Sequence, residues 1–414
     1  MSVQDLTQLK AQVERAVNET RITDIHTHLF SPPFGELLLW GFDELVNYHY
    51  LVAEALRVVD VPYERFWGMG REQQADLIWQ TLFLSNSPYS EACRGVLTVL
   101  DKLGLDVASR DVASYREYFR SLTVEEYIDK VFDITNLDSV VMTNDPFDPQ
   151  ERLVWEKGFE PDPRFKAVLR LDPLLIFWDK SCDDLKGWGY DVEKGLSARS
   201  LQEIRRFLAD WVKRMQPVYM AVSLPSSFRF PEDSACARII EECVLPVSRE
   251  LNVPFALMIG VKRQVNPELR TAGDGLGKAD IGAVEHLCAN YPDNKFLVTM
   301  LSRENQHELA VTARKFSNLM VFGCWWFLNN PSLIEEITRL RLELLGVSVI
   351  PQHSDARVLD QVIYKWAHSR EIIADVLVDK YSDLARTGWQ ITEAEIKRDV
   401  AKLFGGNFWS FLEK

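Results

Sequence analysis

Short apolar runs alternate with amphipathic segments along most of the chain. Eight runs stand out for β-branched and aliphatic residues: 22–28, 139–144, 166–171, 218–224, 254–260, 295–301, 319–325 and 347–352. Each is a few residues long and mostly apolar, the pattern of a parallel strand buried on both faces. Between most of them the period changes. Residues 200–215 (SLQEIRRFLADWVKRM) carry apolar positions at helical spacing on one face and charges on the other, and 281–291, 304–316 and 331–345 read the same way. Strand then helix, eight times over, predicts an α/β fold of the (β/α)8 TIM-barrel type. A doubly wound open sheet is the alternative, but no glycine-rich dinucleotide turn follows the first strand.

One connection is too long. More than a hundred residues separate His28 from Ser139, and a single crossover helix needs far fewer. This stretch predicts helices over 42–58, 71–84, 90–103 and 114–132. The expected organisation is therefore an N-terminal helix and first strand (1–28), a helical insertion (29–138), the rest of the barrel (139–356) and C-terminal helices packed on it (357–414). Within the last part 391–404 is the clearest helix, and Thr392 with Glu395 gives it a capping-box start.

Length agrees with this division. A chain of 414 residues exceeds one ordinary domain of roughly 100–200 residues, whereas a barrel of about 250 residues plus the insertion and C-terminal helices accounts for it. Hydrophobic residues at 47% and charged residues at 26% fit a soluble globular protein. The net charge of −14 argues against nucleic acid as a partner. It leaves room for a small anionic substrate, because a few local arginines override a global field. No apolar run reaches the roughly 20 residues that span a bilayer, and residues 1–18 lack the apolar core of a secretion signal. The six cysteines are scattered without a Cys-x-x-Cys pair, as expected for reduced, buried thiols of a cytoplasmic protein.

Barrel enzymes carry their chemistry at the carboxyl ends of strands. The first run ends Asp24-Ile25-His26-Thr27-His28, and residues two apart on a strand share a face, so His26 and His28 can chelate one metal. The eighth ends Gln352-His353-Ser354-Asp355-Ala356-Arg357, and in a closed barrel it lies beside the first. Asp355 then completes a His-His-Asp set suited to Zn²⁺, with Mn²⁺, Fe²⁺ or Co²⁺ as alternatives and open positions for water or substrate. His353 is a weaker candidate, deeper in the barrel. Arg170, Arg263 and Arg357 follow other strand ends and can clamp a carboxylate, unless each pairs with a neighbouring rim acid, as Arg303 also can. Trp325 and Trp326 either wall the pocket or pack beneath a helix. His49 and Tyr50, on a predicted helix of the insertion, can shuttle protons or simply pack. His286, His307 and His368 sit in amphipathic helices and read as structural or exposed.

In order, DIHTHLF at 24–30, NYHYL at 47–51, TNDP at 143–146, RLDP at 170–173, CWWF at 324–327 and HSDAR at 353–357 resemble the uronate (glucuronate) isomerases of the amidohydrolase superfamily, over essentially the whole chain and most closely their divergent bacterial branch. The resemblance implies aldose–ketose isomerisation of hexuronates, D-glucuronate to D-fructuronate or D-galacturonate to D-tagaturonate. It implies one divalent metal, usually zinc, on His26, His28 and Asp355, and no nucleotide or redox cofactor. Asp355 would also move a proton between C2 and C1, Tyr50 with His49 nearby would serve the C2 oxygen, and Arg170 and Arg357 would bind or polarise the substrate. A homo-oligomer without membrane or nucleic-acid partners is expected. One departure is visible: most members carry a histidine on strand five, where this chain has Met258, although Arg263 follows at the family spacing. Neither strand five nor strand six holds a histidine, which speaks against the binuclear variant. Two other readings stay open: a mononuclear metal-dependent hydrolase or decarboxylase on the same fold, and a non-catalytic binding barrel.

Overall fold

The computed structural model describes residues 3–414, with side chains from residue 6 onward. Seven parallel strands are laid down in chain order: β1 Ile22–Thr27, β2 Leu137–Asn144, β3 Phe165–Arg170, β4 Met220–Pro225, β5 Phe255–Lys262, then β7 Phe296–Met300 and β8 Leu319–Val321. The strand β6, Gly275–Leu276, is a two-residue antiparallel flap on β5. The hydrogen-bonded order β1-β2-β3-β4-β5-β7-β8 is sequential, as right-handed βαβ crossovers require.

The eighth expected run differs from expectation. Residues 347–352 form no regular strand, and only Ile350 makes a bridge, to Phe322. The physical reason is Pro351, which has no N–H for a ladder. The ring still closes through this irregular segment. On one side Ile350 N donates to Val321 O at 3.2 Å and Gly323 N to Ile350 O at 2.8 Å. On the other, Asp355 N donates to His26 O at 3.1 Å and His28 N to Ala356 O at 2.7 Å. The architecture is a TIM-like barrel whose last stave is an extended, non-ladder chain.

Inside the ring Ile25, Val141, Val168, Ala256, Met258, Leu297 and Ile350 pack together. The C-terminal helix Asn407–Glu413 plugs this core with Phe408 and Phe411, both essentially inaccessible; burying each such ring contributes about 1.5–3 kcal/mol. Trp409 Nε1 donates to Thr23 Oγ1 at 3.0 Å, pinning the plug to the start of β1.

The helices between β1 and β2 do not build a core of their own. With Val3–Glu19 and the long helix Gln361–Arg386 they share one apolar cluster. Gly95 allows the closest approach, since a Cβ there would meet the Tyr364 ring at 2.7 Å. Three expected helices are interrupted. The span 42–58 becomes Phe42–Val46 and His49–Val58, parted at Asn47-Tyr48, where Asn47 Nδ2 donates to Asp43 O and Arg71 O, both at 2.8 Å. The span 71–84 ends in a wide turn at Gln80–Leu84, and 114–132 becomes Val112–Arg120 and Val124–Thr135, the latter opened by a Thr123/Glu126 capping box. The expected capping box at Thr392 and Glu395 opens Glu393–Ala401. All six cysteines are free, and no helix among the described residues is long and apolar enough to cross a membrane.

Candidate active site

His26, at the end of β1, His28 just beyond it and Asp355 on the closing segment meet at the mouth of the barrel. One ligand atom from each lies within 4.8 Å of the others. The Nε2 atoms of His26 and His28 stand 3.6 and 3.4 Å from Asp355 Oδ1. Burial pushes His26 down to about 3 and His28 well below its ordinary range, so both rings are neutral near pH 7.

The tautomer of His26 follows from hydrogen-bond accounting. The Tyr219 hydroxyl has one proton and donates it to Ile25 O at 2.7 Å. Its contact with His26 Nδ1 at 3.2 Å must therefore be accepted, so Nδ1 carries the ring proton and Nε2 presents a bare lone pair. That lone pair faces a carboxylate oxygen. Asp355 Oδ1 is buried and has no hydrogen-bond partner among the described residues. Lone pair against lone pair is repulsive in a dry pocket, and a buried unpartnered acceptor costs about 1–3 kcal/mol. A divalent cation among the three atoms removes both penalties, and the donor set suits one. Tyr219→Phe is expected to weaken metal affinity about 10- to 100-fold with the fold retained, as removal of an outer-shell partner of a ligating histidine does; titration of metal-free protein with Zn²⁺ followed by calorimetry measures it.

Asp355 holds a left-handed backbone, φ 54°, an uncommon and mildly strained state for a residue with a Cβ. Its neighbours are braced from outside the barrel. Asp24 turns away from the ring, accepting from Ser354 N at 3.0 Å and from Trp366 Nε1 at 2.8 Å. Gln361 Oε1 accepts from Arg357 N at 2.8 Å and Val358 N at 3.1 Å. Gln352 ties Cys324 N at 2.9 Å to Ser369 Oγ at 3.2 Å. The long helix Gln361–Arg386 thus supplies the frame for the loop that carries Asp355. Beneath the loop His353 is fully buried, its ring 5.2 Å from that of His26, with both nitrogens unpartnered. Gly323 makes room for it, for a Cβ there would lie 1.8 Å from His353 Cδ2.

Other expected residues divide. Arg170 Nη2 donates to Asp172 Oδ1 at 2.9 Å, and Asp172 Oδ2 in turn accepts from Ser223 N at 3.3 Å. Burial alone would lower Arg170, but Asp172 and Asp145 raise it, so it stays a fixed cation beside His28. Arg357 is solvent-accessible and its charge acts on His28, His49 and Tyr50. The break at Tyr48 starts a helix at His49, and this carries His49 and Tyr50 toward the mouth. Burial pushes His49 down and Tyr50 up, and its Nε2 is unpartnered. Trp326 meets His49 edge-on at 5.9 Å and stacks on Phe327, and Trp325 and Trp326 both belong to the buried cluster of the inner barrel. Arg263 is different: it is half exposed and bound to Asp274 at 2.6 Å, the rim-acid pairing that sequence left as an alternative. Arg303 pairs with Glu336. His368 is structural, held by Glu91 and Thr98, and His307 is exposed.

Sequence reasoning passed over Tyr219, Asp24 and Gln361. Tyr219 stands at the start of a strand, where strand-end logic does not look. Asp24 meets Ser354 and Trp366 across 330 and 342 positions, and Gln361 holds the nearby Arg357 and Val358 amides from the first residue of the long helix, which a search of strand ends does not cover.

No family model matches the chain, and no curated protein does. Solved structures do. A uronate isomerase from Bacillus halodurans is 60% identical over all of this chain and 98% of that one, with a TM-score of 0.98. A uronate isomerase from Thermotoga maritima (14% identity, 98% and 97% of the two chains) and a glucuronate isomerase from Caulobacter crescentus (12%, 100% and 95%) both superpose with a TM-score of 0.78. At such low identity these two speak for the fold. The first, at high identity over the full length and on the same barrel, shows that the chain belongs to the uronate isomerase family.

Proposed function

We propose that this protein is a metal-dependent hexuronate isomerase, interconverting D-glucuronate with D-fructuronate and D-galacturonate with D-tagaturonate. The observation that carries the reading is the buried, unpartnered Asp355 oxygen beside two neutral imidazoles, in a chain of the uronate isomerase family. His26, His28 and Asp355 would hold one divalent ion, with Zn²⁺ favoured by two nitrogens and one carboxylate. When bound, the ion supplies positive charge that polarises substrate oxygens.

The chain's own residues account for the rest. Asp355 takes the proton from C2 and returns it to C1, which needs one base on one face of the sugar. A carboxylate fixed by a braced loop is placed for both halves of the transfer. Tyr50 donates to the oxygen on which charge develops, with His49 at its side, and Arg357 adds positive charge there. Arg170, locked by Asp172, binds the substrate as a preformed cation. Trp326 walls the pocket. Met258 lies in the inner core, so this scheme uses no strand-five imidazole. The histidines of the usual hydrolase sites are absent from Phe255–Lys262 and Phe296–Met300, which argues against a hydrolase reading.

The test is incubation with glucuronate and galacturonate in deuterated water, followed by proton NMR. Ketose formation with exchange at the transferred position supports the reading and reports which uronate is preferred. Hydrolysis of lactones or esters without ketose formation would reject it. In the same assay Tyr50→Phe is expected to lower kcat about 10- to 100-fold with KM nearly unchanged, the sign of an interaction realised in the transition state. An unchanged kcat would make Tyr50 a packing residue.

A further inference from the structure

Arg357 and Tyr50 reach the site on two segments far apart in sequence. One is the loop from Asp355 to Asp360, which bears Arg357. The other runs from Leu39 into the helices Phe42–Val46 and His49–Val58, and bears His49 and Tyr50. The two lie side by side where Leu39 and Val358 form an isolated parallel bridge and Leu359 N donates to Leu39 O at 2.9 Å. Asp360 closes this junction. It is fully buried, and its Oδ2 accepts from Gly41 N at 2.8 Å, across 319 positions, while its Oδ1 accepts from the Tyr127 hydroxyl at 2.6 Å. Gly41 immediately precedes Phe42–Val46, and its φ of 96° is a state that favours glycine. Its carbonyl accepts from Leu45 N at 2.9 Å. The amide held by Asp360 therefore belongs to the cap of the helix that leads to His49 and Tyr50.

The next residue, Gln361, holds Arg357 N and Val358 N. Two consecutive side chains at the head of the long helix thus grip both segments, one the backbone of Arg357 and the other the turn that leads to Tyr50. A carboxylate is a costly choice for the second grip. Burial pushes the Asp360 carboxyl up to about 6, and the charge of Glu44 adds to that. Asp360 makes no ion pair among the described residues. A buried charge is weak evidence for stability, because a well-packed apolar group often does as well. What a short carboxylate offers is two acceptor oxygens, one for each of two donors. Both donors locate the same turn, since the Tyr127 ring stacks at 5.2 Å on Trp40, the residue before Gly41.

We propose that Asp360 is a positioning residue for the isomerisation: by holding Gly41 it sets the place of Tyr50 and His49 relative to Arg357. The inference rests on the roles given above to Tyr50 and Arg357, which serve one substrate oxygen from separate segments. The metal ligands are held in another way. Asp355 N donates to His26 O and His28 N to Ala356 O, bonds that do not pass through Asp360. Loss of the Asp360 grip therefore displaces Tyr50 and leaves the three ligands in place. A misplacement of about 1 Å is enough to cost up to about 100-fold in rate.

The experiment measures kcat and KM with glucuronate for Asp360→Ala, Asp360→Asn and Tyr127→Phe, and for Asp360→Ala combined with Tyr50→Phe. Metal content and thermal transition are recorded for each. The expected result is a fall in kcat of about 10- to 100-fold for Asp360→Ala, with KM within about threefold and metal content unchanged. Asparagine recovers most of the loss, because its carbonyl accepts from Gly41 N and its amide donates to the Tyr127 oxygen. Tyr127→Phe lowers the thermal transition but keeps kcat within about twofold, since the Gly41 bond remains. In the Tyr50→Phe background Asp360→Ala costs less than about threefold, because the group it displaces is already gone. An unchanged kcat in Asp360→Ala, an equal loss in both backgrounds, no recovery by asparagine, or an equal loss in Tyr127→Phe would overturn the proposal. Should the alanine variant lack a cooperative thermal transition, Asp360→Leu against Asp360→Asn makes the same comparison. Failure of both alanine and leucine variants to fold would make Asp360 a residue of the fold alone and overturn the proposal too. Impaired Tyr50→Phe with unimpaired Asp360→Ala rejects the role of Asp360 alone. Wild-type rates in both Tyr50→Phe and Asp355→Asn would reject the site assignment and the proposal with it.

Discussion

Asp355→Asn is expected to lower turnover by about 10³- to 10⁴-fold, the loss that follows removal of a positioned general base. The change is nearly isosteric. It leaves the backbone bonds Asp355 N to His26 O and Ser354 N to Asp24 in place, so the loop and the thermal transition should survive. It removes the charge that makes the carboxylate a base and a strong ligand. Two measurements separate those losses. Metal analysis reports how much ion the variant retains, and solvent deuterium incorporation reports whether C2 is still deprotonated. A variant that keeps its metal but exchanges no proton identifies Asp355 as the base. Substantial isomerase activity in Asp355→Asn would sink that assignment outright.

Removal of the metal is expected to have an effect of comparable size. Near pH 7 the two histidines are already neutral, so no proton has to leave them before an ion binds. Prolonged chelation should suppress turnover by more than about 100-fold, and added Zn²⁺ or Mn²⁺ should restore it. Because the ion binds the folded chain, re-addition should also raise the melting temperature in a concentration-dependent way. His28→Ala should behave like the chelated protein at low metal and respond only to excess ion. Full turnover in protein shown by analysis to be metal-free would reject the metal-dependent reading. The barrel itself should persist through all of this, since its cores are built from apolar contacts that do not include the three ligands.

Most of the barrel was legible because its signal is local. Six apolar runs become parallel strands close to their expected limits, a seventh, 319–325, is a strand only over Leu319–Val321, and 331–345 is helical over its full expected span. The run at 347–352 misled for an equally local reason. Its apolarity is that of a buried strand, but Pro351 removes a ladder donor, and the segment closes the ring by single bonds. The interruption at Asn47-Tyr48 escaped the helical period because apolar spacing continues across it. The bond of Asn47 to Asp43 is local, but its competing bond to Arg71 appears only once the two chain segments have met. Arg263 shows a choice that local sequence leaves open. Its position after a strand was visible, but its partner Asp274 lies on a loop that folds back, and proximity of that kind is set by the fold.

The sequence by itself determined the eight-unit period, the long helical interruption and the candidate ligand set His26, His28 and Asp355. Residue chemistry and local periodicity suffice for these. Only the tertiary structure decided which lone pair His26 presents, through the single proton of the Tyr219 hydroxyl. It alone revealed that Asp355 is held left-handed and unpartnered, and that a helix beginning at Gln361 braces the loop through Asp24, Gln352 and Gln361 itself. Those features depend on contacts between residues as much as 342 positions apart, as Trp366 and Asp24 are. No local pattern encodes such a meeting; it exists only once the ring has closed and water has been excluded from between its parts.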